Sequence, residues 1–215
     1  MADLTLPTTL ATPDWLADLP DARYLPEVLE QALNSPAHRE RWKYTKPGPF
    51  VAATQHPMID PDISGESQNG VALSQSIDAP LAGFDLDQAP EAIARLCYAD
   101  RVMTLDVSAS TNEPIVLSHT GNTRPLLVRV AAGVSLTLLE TADASDDAQQ
   151  SIWIDLAPNA RVEHSRNALN DAPSHWQYLN VRLQAGAHYQ LNNHVAGCGS
   201  RRQDIHIIMD GQGAE

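Results

Sequence analysis

The sequence predicts a mainly β protein: a right-handed parallel β-helix that follows a small N-terminal helical region. Three observations in the second half of the chain lead to this fold: a corner residue at a fixed interval, alternation of apolar and polar residues after it, and rows of aliphatic residues before it. The corner residues are Gly133, Asn159, Gly186 and Gly213, at spacings of 26, 27 and 27 residues. A fixed period of this length is typical of solenoids, in which each repeat stacks on the next.

The residues after each corner alternate in polarity. In the first repeat Val134 and Leu136 are apolar, whereas Ser135 and Thr137 are polar. The equivalent apolar positions of the next two repeats are Ala160, Val162, Ala187 and Tyr189. A period of two indicates a β-strand with one buried face.

Aliphatic residues occupy the positions seven, five and three before each of the first three corners. They are Leu126, Val128, Val130, Ile152, Ile154, Leu156, Leu179, Val181 and Leu183. Each repeat therefore holds two strands, and equivalent strands are expected to stack in parallel about 4.8 Å apart. The crossover rule makes such a stack right-handed. The competing fold is an antiparallel β-sandwich, which predicts irregular hairpin turns instead of a corner at a repeating interval.

The fourth repeat departs from this register and leaves two alternatives. Counted back from Gly213, the inward positions are His206, Ile208 and Asp210. If the strand slips by one residue, for example at a bulge, the inward positions are Ile205, Ile207 and Met209.

Three regions divide the chain. Region 1–48 is predicted to be helical, with helix starts at Pro26 and at Ser35-Pro36, because proline is favoured in the first helical turn. Region 49–100 is rich in proline and is predicted to be an irregular lead-in, with short strands near 71–73 and Ile77 and a short helix after Pro90. Region 101–215 is the predicted β-helix.

Composition and charge limit the classes of function. The 215 residues carry a formal charge of −13, which disfavours binding to nucleic acid because the phosphate backbone would be repelled. No apolar stretch is long enough for a membrane span, and no secretory signal is apparent, so we expect a cytoplasmic protein. The two cysteines, Cys97 and Cys198, form no CxxC pair, which argues against a disulfide framework and against a structural zinc site.

A few residues are candidates for chemistry, and each also has a structural interpretation. His194, Cys198 and His206 are the candidate soft metal ligands, although their spacing matches no known ligand motif; the alternative is a loop thiol between repeats. His164 takes the position that Leu138 and Leu191 fill in neighbouring repeats. We therefore expect it to be an inward histidine with a hydrogen-bond partner, neither a ligand nor a base.

For the remaining candidate residues we favour a role in packing over a role in binding or catalysis. Trp42 and Tyr44 form either a docking patch or, as we favour, an anchor for the N-terminal helix on the first repeat. Cys97 is expected to pack as a small hydrophobic residue near Ile93 and Leu96. His119 and His175 carry no signal individually.

The acidic residues Asp143, Asp146 and Asp147 fall in a loop between repeats. Paired carboxylates can hydrolyse glycosidic bonds, so a polysaccharide-active β-helix enzyme is one alternative function. We favour a solvated loop tip. The sequence contains no GxSxG, HExxH, P-loop or dinucleotide-binding motif. A generic structural solenoid is the third alternative.

Several segments resemble the SufD family of iron–sulfur cluster assembly scaffolds. The run Glu40-Arg41-Trp42-Lys43-Tyr44-Thr45 after an N-terminal helix resembles the Trp-Lys-Tyr-Thr motif of that family. The β-helical run from about Pro114 to Glu215 is also similar. It includes the segments Ala157-Pro158-Asn159-Ala160, His175-Trp176 and Asp210-Gly211-Gln212-Gly213-Ala214-Glu215.

The resemblance implies a non-catalytic scaffold that pairs with the sister scaffold SufB and the ATPase SufC to build iron–sulfur clusters on carrier proteins. It implies further β-helix and an ATPase-binding helical domain after Glu215, so we expect this chain to be an N-terminal fragment that binds SufC poorly. No catalytic, cofactor-binding or metal residue is carried over. An iron–sulfur cluster or flavin is expected only in the full complex. We also expect the open end of the β-helix to self-associate, which light scattering tests.

Overall fold

The computed structural model describes residues 57–76, 99, 101–144, 146–197 and 199–215, together with residues 35, 36 and 40. These residues contain eleven β-strands. They are β1 (Asp62–Ser64), β2 (Val71–Ser76), β3 (Val102–Val107), β4 (Ile115–His119), β5 (Leu126–Val130), β6 (Ser135–Ala142), β7 (Ala148–Leu156), β8 (Arg161–Asn170), β9 (Ser174–Leu183), β10 (His188–Gly197) and β11 (Ser200–Met209). In region 1–48 the structure describes only Ser35, Pro36 and Glu40, of which Pro36 and Glu40 are helical; the other predicted helical residues, the helix after Pro90 and the strand at Ile77 lie outside the described residues.

Two sheets form a parallel β-solenoid of about four turns. The first sheet has the order β1-β4-β6-β8-β10, and the second has the order β11-β9-β7-β5-β3-β2. The chain alternates between the sheets, so each turn contributes one strand to each. All neighbours pair in parallel except β1 with β4 and β2 with β3, which are antiparallel. The predicted parallel β-helix is therefore confirmed, and the strand predicted near Val71 is present as β2; β1 was not predicted.

The predicted corner residues have the left-handed backbone conformation that the spacing required. Their φ angles are 70° at Gly133, 60° at Asn159, 67° at Gly186 and 74° at Gly213. The corners also bond to one another, since the N–H of Gly133 donates to the carbonyl of Pro158 at 3.0 Å and that of Asn159 to the carbonyl of Ala185 at 2.9 Å. The corners consequently form a hydrogen-bonded column that keeps successive turns aligned.

The hydrophobic core lies between the two sheets on the corner side. The rows predicted to point inward are all buried, and they pack against the inward residues of the opposite sheet. Rows from neighbouring turns are in register: Leu126, Ile152 and Leu179 are paired in sequence across β5, β7 and β9.

The fourth repeat adopts the slipped register. Ile205, Ile207 and Met209 pair with the inward residues Leu179, Val181 and Leu183. The extra residue is Asp210, which lies between the end of β11 and the turn that hydrogen bonds Ala214 back to Gly211 at 3.3 Å. The alternative in which His206, Ile208 and Asp210 face inward is therefore wrong. It was obtained by counting back from Gly213, and that count includes the additional residue.

The outer face of the second sheet carries a row of alternating charges. Asp106, Arg129, Asp155 and Arg182 are successive neighbours across β3, β5, β7 and β9. Arg129 bonds both carboxylate oxygens of Asp106, at 2.6 and 3.0 Å. A shift of any strand along this row would break the alternation, so the charges favour the observed register.

The corner conformation generates a stability prediction at Gly133. Replacing Gly133 with Ala places a Cβ on a left-handed residue and is expected to lower the free energy of unfolding by about 1–2 kcal/mol. Nothing lies within 4 Å of that Cβ, so the loss would reflect backbone strain and not a clash. Gly133→Asn is the control, because Asn tolerates this conformation and already occupies the equivalent position 159. Equal losses for Ala and Asn in chemical denaturation would contradict this explanation.

Candidate functional site

The inward positions farther from the corners are polar instead of aliphatic. We refer to this group as the polar core: His119 on β4, Glu140 on β6, His164 and Arg166 on β8, and His175 on β9. Each of these side chains is at most 1% exposed. Polar side chains are rarely buried so completely unless they are paired, so this cluster is the candidate functional site.

Glu140 is the centre of the polar core. Its Oε2 lies 2.6 Å from Nε of Arg166 and 3.1 Å from Nε2 of His164. Its Oε1 accepts a hydrogen bond from Nη2 of Arg166 at 3.2 Å and lies 3.7 Å from Nε2 of His119. These partners come from β4, β6 and β8, three successive strands of the first sheet. One carboxylate therefore links three turns of the solenoid.

His164 extends the network by one turn toward β10. Its Nδ1 is 2.8 Å from the hydroxyl of Tyr189. A carboxylate only accepts hydrogen bonds, so Nε2 of His164 donates to Glu140, and Nδ1 of a neutral ring accepts from Tyr189. The prediction that His164 is an inward histidine with a hydrogen-bond partner is confirmed.

The charge states in the core follow from burial and pairing. Burial raises the pKa of the Glu140 carboxyl, but the Arg166 charge and the hydrogen bond from His164 outweigh it, and the pKa lies well below its ordinary value. Burial lowers the pKa of His164, and the bond to Glu140 offsets this only in part. Burial raises the pKa of Tyr189. The core thus holds an ionised carboxylate and a neutral imidazole at pH 7.

His175 faces this cluster from the second sheet. Burial first, and then the charge of Arg201, lower the pKa of His175 to about 3. Arg201 on β11 pairs in register with His175 on β9. Its guanidinium crosses the interior to the first sheet, where Nη1 donates to the carbonyl of Ala168 at 2.6 Å and Nη2 to that of Ala196 at 3.3 Å.

A row of amide side chains runs beside His175 on the second sheet. Gln150, Gln177 and Gln203 are neighbours across β7, β9 and β11. Nε2 of Gln177 donates to Oε1 of Gln150 at 2.9 Å, and Nε2 of Gln203 donates to Oε1 of Gln177. Asn193 on β10 closes the row across the interior with a 3.0 Å bond to Gln203. The solenoid interior is therefore apolar near the corners and polar beyond them.

The structure separates the residues that the sequence suggested as metal ligands. His194 lies on the outer face of the first sheet and is exposed. His206 lies on the outer face of the second sheet, with its ring 5.4 Å from that of Tyr178. Cys198 is outside the described residues, as are Cys97, Trp42 and Tyr44. Within the described ranges, no three His, Cys, Asp or Glu residues are grouped so that they could hold a metal ion.

The acidic loop joins β6 to β7. Asp143 and Asp146 are exposed, as a solvated tip requires. Asp147 is half-buried, and its carboxylate accepts a hydrogen bond from the Ser174 hydroxyl at 2.6 Å. Asp147 therefore links this loop to the first residue of β9 through a hydrogen bond.

Sequence reasoning missed most of the polar core, although a signal was present. The alternation that follows each corner continues: Glu140, Arg166 and Asn193 are each seven residues after a corner and therefore face inward. Gln150 and Gln177 are nine residues before a corner, on the inward side of the second sheet. If the two-residue alternation is followed one step further along the strands on either side of the corner, the next inward positions are charged and amide residues.

Comparison with known proteins adds no assignment. No protein-family model matches the chain, and neither a curated protein nor a solved structure matches it. In the part of the chain that the structure describes, no helix has the length and apolar character needed to cross a bilayer.

The ion pair between Glu140 and Arg166 generates a stability prediction. Arg166→Met leaves a buried carboxylate without its cation and is expected to lower the free energy of unfolding by about 3–5 kcal/mol. Arg129→Met is the matched control, because the Arg129–Asp106 pair is 48% and 40% exposed, and its loss should cost below about 1 kcal/mol. Similar losses for the two variants in urea denaturation would show that Glu140 does not depend on Arg166.

Burial of His175 and the pairing of Glu140 make the stability of the fold depend on pH. The folded-state pKa of His175 lies near 3 and its unfolded value near 6.5, so the unfolded chain binds more protons between these pH values. Stability should therefore fall as the pH decreases from about 6.5 toward 3. Loss of the Glu140 carboxylate, whose folded pKa is also lowered, acts in the same direction below about pH 4.5. Thermal unfolding across this range measures the slope.

The variant His175→Gln should reduce that slope, because it removes one of the groups that the unfolded chain protonates. His194→Gln, at an exposed position, is the control and should leave the slope unchanged. If the stability of the His175→Gln variant falls with pH as steeply as that of the parent protein, groups other than His175 cause the acid sensitivity.

Proposed function

We propose that this chain is part of a non-catalytic scaffold subunit of the SUF iron–sulfur cluster assembly system, acting in the cytoplasm with a SufB-type scaffold and a SufC-type ATPase. The observation that carries the proposal is the order of features along the sequence: Trp42-Lys43-Tyr44-Thr45, then stacked β-strands, then the Gly-Gln-Gly-Ala-Glu run at 211–215. The cluster is the cargo of the assembly, and the partner ATPase supplies the energy of ATP hydrolysis.

An exposed strand edge supports a role in assembly. Among the described strands, β10 and β11 border the two sheets on this side, and Glu215 already hydrogen bonds to Ala187 and Tyr189 at the start of the outer edge of β10. Ile205, Ile207 and Met209 continue the inward rows there but are 39%, 48% and 65% exposed. An open edge with an apolar row accepts a further strand readily. The added strand can come from the further β-helix that the resemblance implies after Glu215, from a SufB-type scaffold or from a second copy of this chain.

The acidic loop gives little support to the alternative of a polysaccharide-active enzyme. Glycosidases hold two carboxyl groups at a fixed separation on either side of the scissile bond. Here Asp143 and Asp146 are exposed on a loop, and Asp147 is occupied by Ser174. Hydrolysis of polygalacturonate would nevertheless favour the enzyme over the scaffold.

Native mass spectrometry of the tagged natural protein that carries this sequence tests the proposal. The protein is co-expressed with the SufB and SufC proteins of the same cell. We expect a stable complex that contains all three polypeptides. Recovery of the tagged protein alone or as a homo-oligomer, with both partners well expressed, would contradict the scaffold function.

Matched variants test the apolar row in the 215-residue chain. Ile207→Glu puts a charge in this row and should reduce self-association seen by light scattering at least tenfold, since desolvating that charge costs more than about 1.4 kcal/mol. Gln190→Glu adds the same charge at an exposed position on the outer face of β10 and should leave self-association unchanged. Equal self-association of both variants would exclude the Ile207 row from the contact.

A further inference from the structure

Residues of the same chemistry stack on one another along the inward face of the second sheet. Three columns of this face are aliphatic, one column is made of amides, and all four end at β11. The aliphatic columns are Leu126, Ile152, Leu179 and Ile205, then Val128, Ile154, Val181 and Ile207, and then Val130, Leu156, Leu183 and Met209; the amide column is Gln150, Gln177 and Gln203. Apolar contacts and amide ladders of this kind stabilise each strand on its neighbour. The pattern of one strand therefore specifies the pattern that suits the next.

The aliphatic columns are incomplete at β11, which borders this sheet among the described strands. Leu179 and Val181 lie between β7 and β11 and are fully buried. Ile205 and Ile207 follow in the same two columns and are exposed, as is Met209 at the end of the third column. A further strand with aliphatic residues at these positions would bury the ends of all three columns and gain the free energy of that burial.

The amide column also ends with hydrogen-bonding capacity to spare. Nε2 of Gln203 donates to Oε1 of Gln177, and Oε1 of Gln203 accepts from Nδ2 of Asn193 at 3.0 Å. An amide oxygen has two lone pairs and an amide nitrogen has two hydrogens, so these two bonds use half of the capacity of Gln203. An amide side chain on a further strand can donate to Oε1 of Gln203, as Gln203 itself donates to Gln177.

Arg201 adds a positive charge to the same edge. It is in register with His175 on β9, and its guanidinium donates to the backbone carbonyls of Ala168 and Ala196. Both acceptors are neutral, and no carboxylate of the described residues forms an ion pair with Arg201. A carboxylate in register with Arg201 on a further strand would lie about 4.8 Å away, one strand spacing. Opposite charges at neighbouring positions of adjacent strands favour the pairing of those strands.

We propose that β11 recognises one kind of segment, an extended strand that adds in parallel. The alternate residues of this strand are one acidic residue, one amide residue and three aliphatic residues, in that order from its N-terminus. They lie in register with Arg201, Gln203, Ile205, Ile207 and Met209. The order fixes the direction, because an antiparallel strand of the same sequence would place an aliphatic residue beside Arg201 and the acidic residue beside Met209. This recognition rests on the strand addition proposed above for the same edge, and not on the identity of a SUF partner.

Two synthetic peptides of equal composition test the pattern and the direction. The matched peptide is Glu-Thr-Gln-Thr-Ile-Thr-Val-Thr-Leu, and the reversed peptide has the same residues in the opposite order; both are capped at each end. Binding to the 215-residue chain is followed by fluorescence anisotropy, at protein concentrations at which light scattering shows a monomer. We expect the matched peptide to bind at least about tenfold more tightly. Equal affinities, tighter binding of the reversed peptide, or no saturable binding of the matched peptide would each overturn the proposal. Because neither SufB nor SufC is present, such a result would leave the scaffold function to be decided by the mass spectrometry.

Arg201→Gln tests the acidic position. With the parent chain, replacing the first residue of the matched peptide by Gln should weaken binding about threefold to fivefold, since one pair of opposite charges is lost. With Arg201→Gln the two peptides should bind equally. Arg129→Gln is the control and should retain the difference, because Arg129 lies on the outer face of β5 and pairs with Asp106. A difference that persists in Arg201→Gln would contradict the recognition of an acidic residue by Arg201. The comparison of the matched and reversed peptides uses the unaltered chain, so it does not depend on the folding of either variant.

Discussion

The left-handed corner is the constraint on which the rest of this structure depends. A residue with φ between 60° and 74° ends each of four successive turns, and the N–H of each of the first three bonds to the corner of the next turn. Because the column of corners fixes the starts of β6, β8 and β10 in the first sheet, the aliphatic rows stack in register and form one continuous core. The alternating charges of Asp106, Arg129, Asp155 and Arg182 favour the same register on the outer face.

The same stacking makes it possible to bury Glu140. An isolated carboxylate cannot be taken out of water at a tolerable cost, whereas one that faces an arginine and histidines on adjacent strands can remain ionised. The solenoid brings these partners together because inward positions repeat every second residue and every turn. His119, Glu140 and Arg166 belong to successive turns, so the network connects parts of the chain that are far apart in sequence.

The two ends of the described solenoid differ in how their border strands pair. The antiparallel strands β1 and β2 border the sheets at one end, and such pairing breaks the parallel repeat. At the other end β10 and β11 border the described sheets, and Ile205, Ile207 and Met209 form an exposed apolar row. Beneath that row Arg201 and Gln203 are half-buried.

The sequence by itself determined the period, the corners and the inward aliphatic rows, because these depend on local backbone conformation and on a two-residue alternation. It also predicted the inward position and the bonded state of His164. It left the register of β11 open, because Asp210 adds one residue between the inward positions of β11 and the corner Gly213. It gave no indication that both faces of the second sheet are buried at Trp153 and Tyr178. Only the tertiary structure assembled Glu140, His119, Arg166 and His175 into one network, because their proximity comes from the stacking of separate turns and the packing of two sheets, which no local pattern encodes.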